Sequence, residues 1–299
     1  MKNKNVRLGQ KLSVTEEQRI GGGAASNVYA LDNGDIVKVL KRGSQEDAER
    51  EILLSKWAFL KGIPTAISYD VADVDGRPGL VYEYLGRENL RNAFRDRPEC
   101  FDGLMSDYLT LLHTINGITD NEKYLPPMAD KYRRLLESIS DLLTAEEAAK
   151  AKALLESIPD SNTIVHGDCQ IKNVRFVNGK LFLIDLDTLS RGDPIYELAG
   201  LYCCYMCYPS LSDESYNEFF EIPSFMLAKI LDGILDGYYP SLPGDVRKEN
   251  ARKAALLGWL ITAAYVREDS PEDAASLDML LDRFRETLAA VDDLRLTRG

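Results

Sequence analysis

The spacing of apolar residues changes period once along this chain. Over residues 8–40 it alternates as strands do: Ile36-Val37-Lys38-Val39-Leu40 is the clearest run, and the Asn33-Gly34 before it predicts a two-residue hairpin turn. Ser44-Gln45-Glu46-Asp47 has the spacing of a capping box, which predicts a helix running to Lys61 and stopped by Gly62 and Pro64. Residues 80–85 predict another strand, ending at Gly86. Beyond it the period is helical over residues 89–159, with a second capping box at Thr144-Ala145-Glu146-Glu147. A hairpin over residues 174–183 turns on Asn178-Gly179 and interrupts the helices, and Ser270-Pro271-Glu272-Asp273 opens a final one. The pattern predicts an α+β chain with a smaller, mainly β region over residues 1–86 and a larger, mainly α region over 87–299. The longest apolar run, residues 254–266, is too short to cross a bilayer and predicts a buried helix.

With 299 residues the chain can build two lobes around sizeable cores. A formal net charge of −12 argues against nucleic acid or an anionic membrane as partner. The same charge is compatible with a cationic small molecule, although a solubility role is the plainer reading. The polar start, Met1-Lys2-Asn3-Lys4-Asn5, leads into no apolar run, so no signal peptide is expected. Cys100, Cys169, Cys203, Cys204 and Cys207 form no paired framework, which fits a reducing, cytoplasmic setting. Cys203, Cys204 and Cys207 are expected to be buried as small apolar groups rather than to bind metal. His113 is expected to be a satisfied core or surface residue of a helix rather than a catalyst.

Candidate chemistry starts at Gly21-Gly22-Gly23-Ala24-Ala25-Ser26, a small-residue turn whose N–H groups can approach phosphate oxygens closely. Lys38 sits within the apolar strand that follows. A lysine there ordinarily faces solvent; one that faces a binding site needs a carboxylate to hold it. The next helix offers Glu51, on the face of Ala48, Leu54 and Ala58, and Glu49, on the face of Leu53, Trp57 and Leu60; periodicity does not choose between them. Where the strand over 80–85 ends, backbone groups from Glu83 to Leu85 are suited to bind a base edge. The richest stretch is residues 164–187, in which His166-Gly167-Asp168 precedes Asn173 and the hairpin leads to Ile184-Asp185-Leu186-Asp187. Two carboxylates and an amide, delivered by strand ends and a tight loop, suit activation of a hydroxyl beside a metal-bound phosphate.

His166-Gly167-Asp168, Asn173 five residues beyond the aspartate, and Ile184-Asp185 together resemble the aminoglycoside phosphotransferase and choline kinase-like family of the protein-kinase-like superfamily. The resemblance implies a bilobal protein-kinase-like fold, with Mg2+ as cofactor and ATP or GTP as phosphoryl donor. It implies Asp168 as catalytic base, Asn173 and Asp185 as magnesium ligands, and Lys38 on the α- and β-phosphates. It favours Glu51 as the partner of Lys38, from its distance before Gly62-Ile63-Pro64. Gly21, Gly22, Gly23 and Ser26 would belong to the phosphate-covering loop, although the run departs from G-x-G-x-x-G. Gly192-Asp193-Pro194 resembles the segment after the metal site, and Glu197 stands where aspartate is usual and is read as structural. The acceptor implied is a small hydroxylated molecule such as an aminoglycoside, amino alcohol or sugar. Tyrosines including Tyr202, Tyr205, Tyr208, Tyr238, Tyr239 and Tyr265, with Trp259, could cage a quaternary ammonium, although ordinary helix packing is the plainer reading. The acids Asp213, Glu214, Glu268 and Asp269 could equally meet an aminoglycoside's ammonium groups or simply face water. A protein kinase fits less well, because the arginine of H-R-D is missing and Asp185-Leu186-Asp187 replaces D-F-G. A nucleotide-binding, pseudokinase-like regulatory module is the reading from another class, and the presence of Lys38, Asp168, Asn173 and Asp185 argues against it.

Overall fold

Alternation in the first third of the chain builds one six-stranded mixed sheet. The structure, a computed structural model, describes residues 10–23, 26–212 and 219–298; Ala24, Ala25, Asp213 and Glu214 lie outside the described residues. The strands are β1 (Gln10–Leu12), β2 (Arg19–Gly22), β3 (Ser26–Ala30), β4 (Ile36–Leu40), β5 (Ser68–Val74) and β6 (Arg77–Tyr82), arranged in the order β1-β5-β6-β4-β3-β2. Only β1 and β5 run parallel. In β4, Val37 and Val39 pack on one face with Tyr29, Val74 and Val81. The other face carries Leu40, which packs with Leu80 and with Ala48 and Ile52 of helix α1 (Gln45–Leu60). Complete burial of Val37 and Val81 stabilises the sheet by roughly 1.5–3 kcal/mol each. Because side chains alternate, Lys38 shares the α1 face with Leu40.

Local signals account for most element ends. Ser44 caps α1 in a reciprocal box with Asp47, and Gly62 follows the helix with φ of +88°. The predicted two-residue turn at Asn33-Gly34 is instead part of a longer connection between Ala30 and Ile36. There the Asn33 side chain accepts from the Asp35 N–H at 3.1 Å and only Gly34 takes a positive φ, so the geometry is that of an Asx turn. The strand expected over 80–85 ends at Tyr82.

By contacts the chain divides into two units, one running to Asn89 and including Val174–Asp187, the other made of Leu90–Asn173 and the chain from Thr188 onward. A boundary drawn in sequence at Gly86 assigns the Val174–Leu183 hairpin to the helical region, whereas by contacts it groups with the sheet. Backbone hydrogen bonds give the reason: the Leu183 N–H donates to Pro64 O at 2.7 Å and the Phe176 N–H to Glu88 O at 3.1 Å. The Thr65 hydroxyl adds a bond to Leu183 O at 2.8 Å. Asn178 and Gly179 have φ of 50° and 75°, the pair of positive values that a tight two-residue hairpin needs.

The second unit is helical and surrounds Gly244–Asp269, whose apolar run over residues 254–266 is buried as expected. The last helix is Ala274–Ala289, starting later than Ser270 because the Asp273 side chain, accepting from the Ser276 N–H at 3.1 Å, is the cap. Among the described residues no helix is long and apolar enough to cross a membrane.

A β-branched residue at position 179 should be strained by about 1–2 kcal/mol, because its Cβ meets the neighbouring carbonyl in the left-handed region. Gly179→Val is therefore expected to lower the urea midpoint without changing the far-UV spectrum. An unchanged midpoint would show that the turn bears no such constraint.

Candidate active site

In the first unit three segments converge on one ammonium group. Lys38 Nζ lies 2.9 Å from Glu51 Oε1, on α1, and 2.7 Å from Asp185 Oδ1, at the end of the hairpin. The Lys38 and Glu51 side chains are only 16% and 15% exposed, so this lysine does not face solvent as strand lysines ordinarily do. Glu49 is exposed and accepts from Gln45. Geometry thus selects Glu51. Burial alone would lower the Lys38 pKa, but the charges of Asp185 and Glu51 and their hydrogen bonds outweigh it and hold the ammonium above the ordinary lysine range. Tyr82 donates its hydroxyl to the same Glu51 oxygen at 3.3 Å. Asp185 has φ of 63°, a left-handed conformation that aspartate tolerates better than most side chains.

The remaining predicted residues of this unit sit on the same sheet or beside it. Gly21 and Gly22 end β2, Ser26 begins β3, and the Gly23 N–H donates to Ser26 O at 2.9 Å. None of Gly21, Gly22 and Gly23 has a positive φ; at Gly22 a Cβ would stand 2.8 Å from Asn27 Oδ1, which is a packing reason for glycine. The Glu83 N–H is committed to Ile67 O at 2.8 Å. Among the described residues no backbone partner meets the Glu83 carbonyl or the Leu85 N–H, so an acceptor and a donor two residues apart can read a base edge.

In the second unit a loop holds Asp168 and Asn173 rigidly. Asn173 Nδ2 donates to Asp168 Oδ2 at 2.8 Å and to Asp168 O at 3.1 Å. With its nitrogen so used, the amide presents Oδ1 as its accepting or ligating atom. Asp168 Oδ1 has the Cys204 thiol at 3.8 Å. The loop's backbone is fastened from several sides: Tyr108 donates to Cys169 O, the Ile171 N–H donates to the Tyr205 hydroxyl at 2.8 Å, and Thr188 donates to His166 O at 2.7 Å. His166 is buried, and its Nδ1 accepts from the Asp168 N–H at 3.2 Å, a scaffold for the loop rather than a group aimed at substrate. His113 stacks on Tyr238 with ring centroids 4.6 Å apart.

Glu197 contributes more than its reading as structural suggested. Its buried carboxylate accepts from the His166 N–H at 2.5 Å and the Gly167 N–H at 3.3 Å, clamping the loop just before Asp168. Burial pushes its carboxyl up to about 7, against hydrogen bonds from His166, Gly167, Asn116 and Cys169 that lower it. Gly167, with φ of +79°, lets the chain turn there, and Gly200 brings the Glu197 helix so close that a Cβ would lie 3.0 Å from Gly167 O. Spacing from Asp193-Pro194 was the sequence signal for Glu197; nothing in the sequence told that it reaches back by some thirty residues.

Beside Asp168, within the same unit, lies a cavity of about 250 Å3. Cys204, Tyr208, Tyr265 and Lys131 line it with Asp168. Cys203–Cys207 forms a π-helical turn, a distortion often found at functional sites, and it brings Cys204 and Tyr208 to this wall. Cys203 and Cys207 are buried, and among the described residues no cluster of three or more His, Cys, Asp or Glu side chains gathers to hold a metal. Of the other aromatic candidates, Tyr205 and Tyr238 are core hydrogen-bonding residues and Tyr202 packs edge-on against Trp259. Glu268 and Asp269 are exposed and do not line the cavity.

A mixed sheet with a lysine–glutamate pair, and a helical region carrying an Asp-Asn loop, define the α+β fold of kinase-like phosphotransferases. A model of the phosphotransferase enzyme family matches residues 16–224, and the chain belongs to that family. Similar solved structures include the gentamicin complex of APH(2″)-IIa, at TM-score 0.56 and 20% identity over 92% of this chain and 93% of that one. A choline/ethanolamine kinase family protein from Mesorhizobium loti matches at TM-score 0.57 and 16% identity, over 91% and 90% of the two chains. The amicoumacin kinase hAmiN, in complex with AMP-PNP, Ca2+ and Ami, gives TM-score 0.57 and 16% identity over 95% and 90%. At these identities the likeness establishes the fold alone. No curated protein sequence matches the chain.

The clamp predicts a pH signature. A carboxyl raised to about 7 from an ordinary 4.5 favours the protonated folded state. Its contribution to stability is therefore full below 4.5 and is lost as pH rises through about 7, a change of roughly 3 kcal/mol. Unfolding free energies at pH 5 and pH 8 should differ less in Glu197→Gln than in the wild type by an amount of this order. Parallel pH curves for the two proteins would refute the assignment.

Proposed function

We propose that this protein is a small-molecule kinase that transfers the γ-phosphoryl group of ATP or GTP to a hydroxyl of a small acceptor. The observation that carries the reading is the Lys38 ammonium gripped by Glu51 and Asp185. Such a group is charged at any physiological pH, fixed in direction, and suited to phosphate oxygens. Lys38 binds the α- and β-phosphates, with Glu51 holding it in place. The Glu83 carbonyl and Leu85 N–H hold the base, and backbone N–H groups near Gly21, Gly22, Gly23 and Ser26 cover the phosphates.

Asp168 receives the acceptor hydroxyl and takes its proton as the new O–P bond forms and the bond between the γ-phosphorus and the departing nucleoside diphosphate breaks. Of its two oxygens, Oδ2 carries the Asn173 amide hydrogen bond at 2.8 Å and Oδ1 only the weaker thiol contact from Cys204 at 3.8 Å, so Oδ1 is assigned the proton. The donor set fits magnesium: the Asp185 carboxylate and Asn173 Oδ1 are hard oxygen ligands, and this ion commonly takes only one or two protein ligands, with phosphates and water completing its shell. Asn173 and Asp185 would each be ligands for Mg2+, which would supply positive charge to offset that on the phosphates during transfer. A nucleotide donor and unpaired cysteines support a cytoplasmic setting.

Steady-state assays with a coupled ADP readout test these roles. Asp168→Asn is expected to lower kcat by about 10²–10⁴ while nucleotide binding stays intact. Lys38→Met should instead weaken nucleotide binding roughly tenfold to a hundredfold, the loss of one charged hydrogen bond of about 1.5–3 kcal/mol. Transfer activity that survives Asp168→Asn would remove Asp168 from the base role. Wild-type protein that binds ATP with magnesium but transfers phosphate to no acceptor would favour a regulatory nucleotide-binding module.

A further inference from the structure

We infer that Lys131 selects the acceptor by its charge: the cavity beside Asp168 takes a small ring-bearing alcohol that carries a carboxylate or another anionic group, with the hydroxyl end on Asp168 and the anionic end on Lys131. This inference rests on the kinase reading for the identity of the hydroxyl end. It departs from the cationic acceptors with which the chain's net charge is compatible.

The helix Met128–Ile139 buries Met128, Tyr132 and Leu135, a stripe at spacings of four and three residues. Lys131 stands on that stripe, three residues after Met128 and four before Leu135, at a position the period reserves for apolar side chains. Its direction is thus set by the helix, and its ammonium lies 5.8 Å from the centroid of the Tyr265 ring, within cation–π range. Among the described residues Lys131 forms no ion pair. A partly buried lysine with no ion-pair partner among the described residues is a ready partner for an anion brought by a ligand.

The rest of the wall agrees. Among the described residues lining the cavity, Lys131 is the one basic side chain and Asp168 the one acidic one. The Thr188 hydroxyl is already donated to His166 O at 2.7 Å, so it does not compete for the ligand's anionic end. Tyr208 and Tyr265 supply ring faces for an apolar body. A volume of about 250 Å3 lies below the usual range for drug-sized ligands and suits a single ring with short substituents. A polyamine or aminoglycoside would place like charge against Lys131, and would have only Asp168 among these lining residues to meet it. Asp168 is the group that must receive the hydroxyl.

The test is a binding titration of full-length protein by ligand-detected NMR. Its three probes share one ring and one hydroxymethyl group: 4-(hydroxymethyl)benzoate, 4-(hydroxymethyl)benzamide and 4-(aminomethyl)benzyl alcohol. The benzoate is expected to bind at least tenfold more tightly than the amine. Lys131→Met, which keeps the aliphatic stem, should bring the two within about threefold while leaving the benzamide affinity unchanged; Lys131→Arg should retain the preference. The inference is overturned if the amine binds as tightly as the benzoate, if Lys131→Met keeps the preference, if it weakens all three probes equally, or if the benzoate does not bind. Phosphoryl transfer is scored separately in wild type and Asp168→Asn. Asp168-dependent transfer to amines alone would sink the acceptor charge and leave the kinase reading standing. Lys131-dependent benzoate binding without Asp168-dependent transfer to any acceptor would do the reverse.

Discussion

The compensation of one buried ammonium organises the first unit. Lys38 is placed on a strand whose neighbours on both sides are apolar, and its cost of desolvation is met by carboxylates from a helix and from a hairpin far along the chain. Removing either acid leaves a mismatch of charge in a largely dry place, which in proteins generally costs far more than an exposed pair contributes. The sheet register, the tilt of α1 and the docking of the hairpin must all be right for Nζ to meet both. A residue that would be a liability on an ordinary strand thereby becomes a fixed cation.

The second unit solves a different problem, that of holding a short irregular loop still. Here the means are hydrogen bonds to backbone: Glu197, Tyr108, Tyr205 and Thr188 each satisfy a peptide group of residues 166–171. Glycines at 167 and 200 admit the close approach that these bonds require. The Asp168 side chain is oriented last, by Asn173, so its direction inherits the rigidity of everything beneath it.

Elements with strong local chemistry were legible in the sequence. The capping boxes at Ser44 and Thr144 and the Asn178-Gly179 turn stand as written, because each is decided by side chains within a few residues. Ends decided by competition were not: the cap of the last helix passed from Ser270 to Asp273, and the Asn33-Gly34 turn widened once Asn33 bonded Asp35. Periodicity left Glu49 and Glu51 tied, and the tertiary placement of Lys38 broke the tie. The exposed Leu53 and Leu60, 58% and 83% accessible, show that the competing apolar face was not a core face. Lys131 was passed over because a lysine on an apolar stripe carries no signal until the wall it faces is known.

The hairpin that supplies Asp185 also fixes an order of events during synthesis. Lys38 and Glu51 leave the ribosome early, whereas Asp185 and the strands that carry it emerge only after the segment Leu90–Asn173, which belongs to the other unit. Until then the nascent sheet has a half-compensated lysine and Pro64 and Thr65 without their hydrogen-bonding partners at Leu183. Maturation of the first unit is therefore tied to passage of the second unit's leading helices and loop. The protein cannot complete its cationic grip one unit at a time in the order its residues are made.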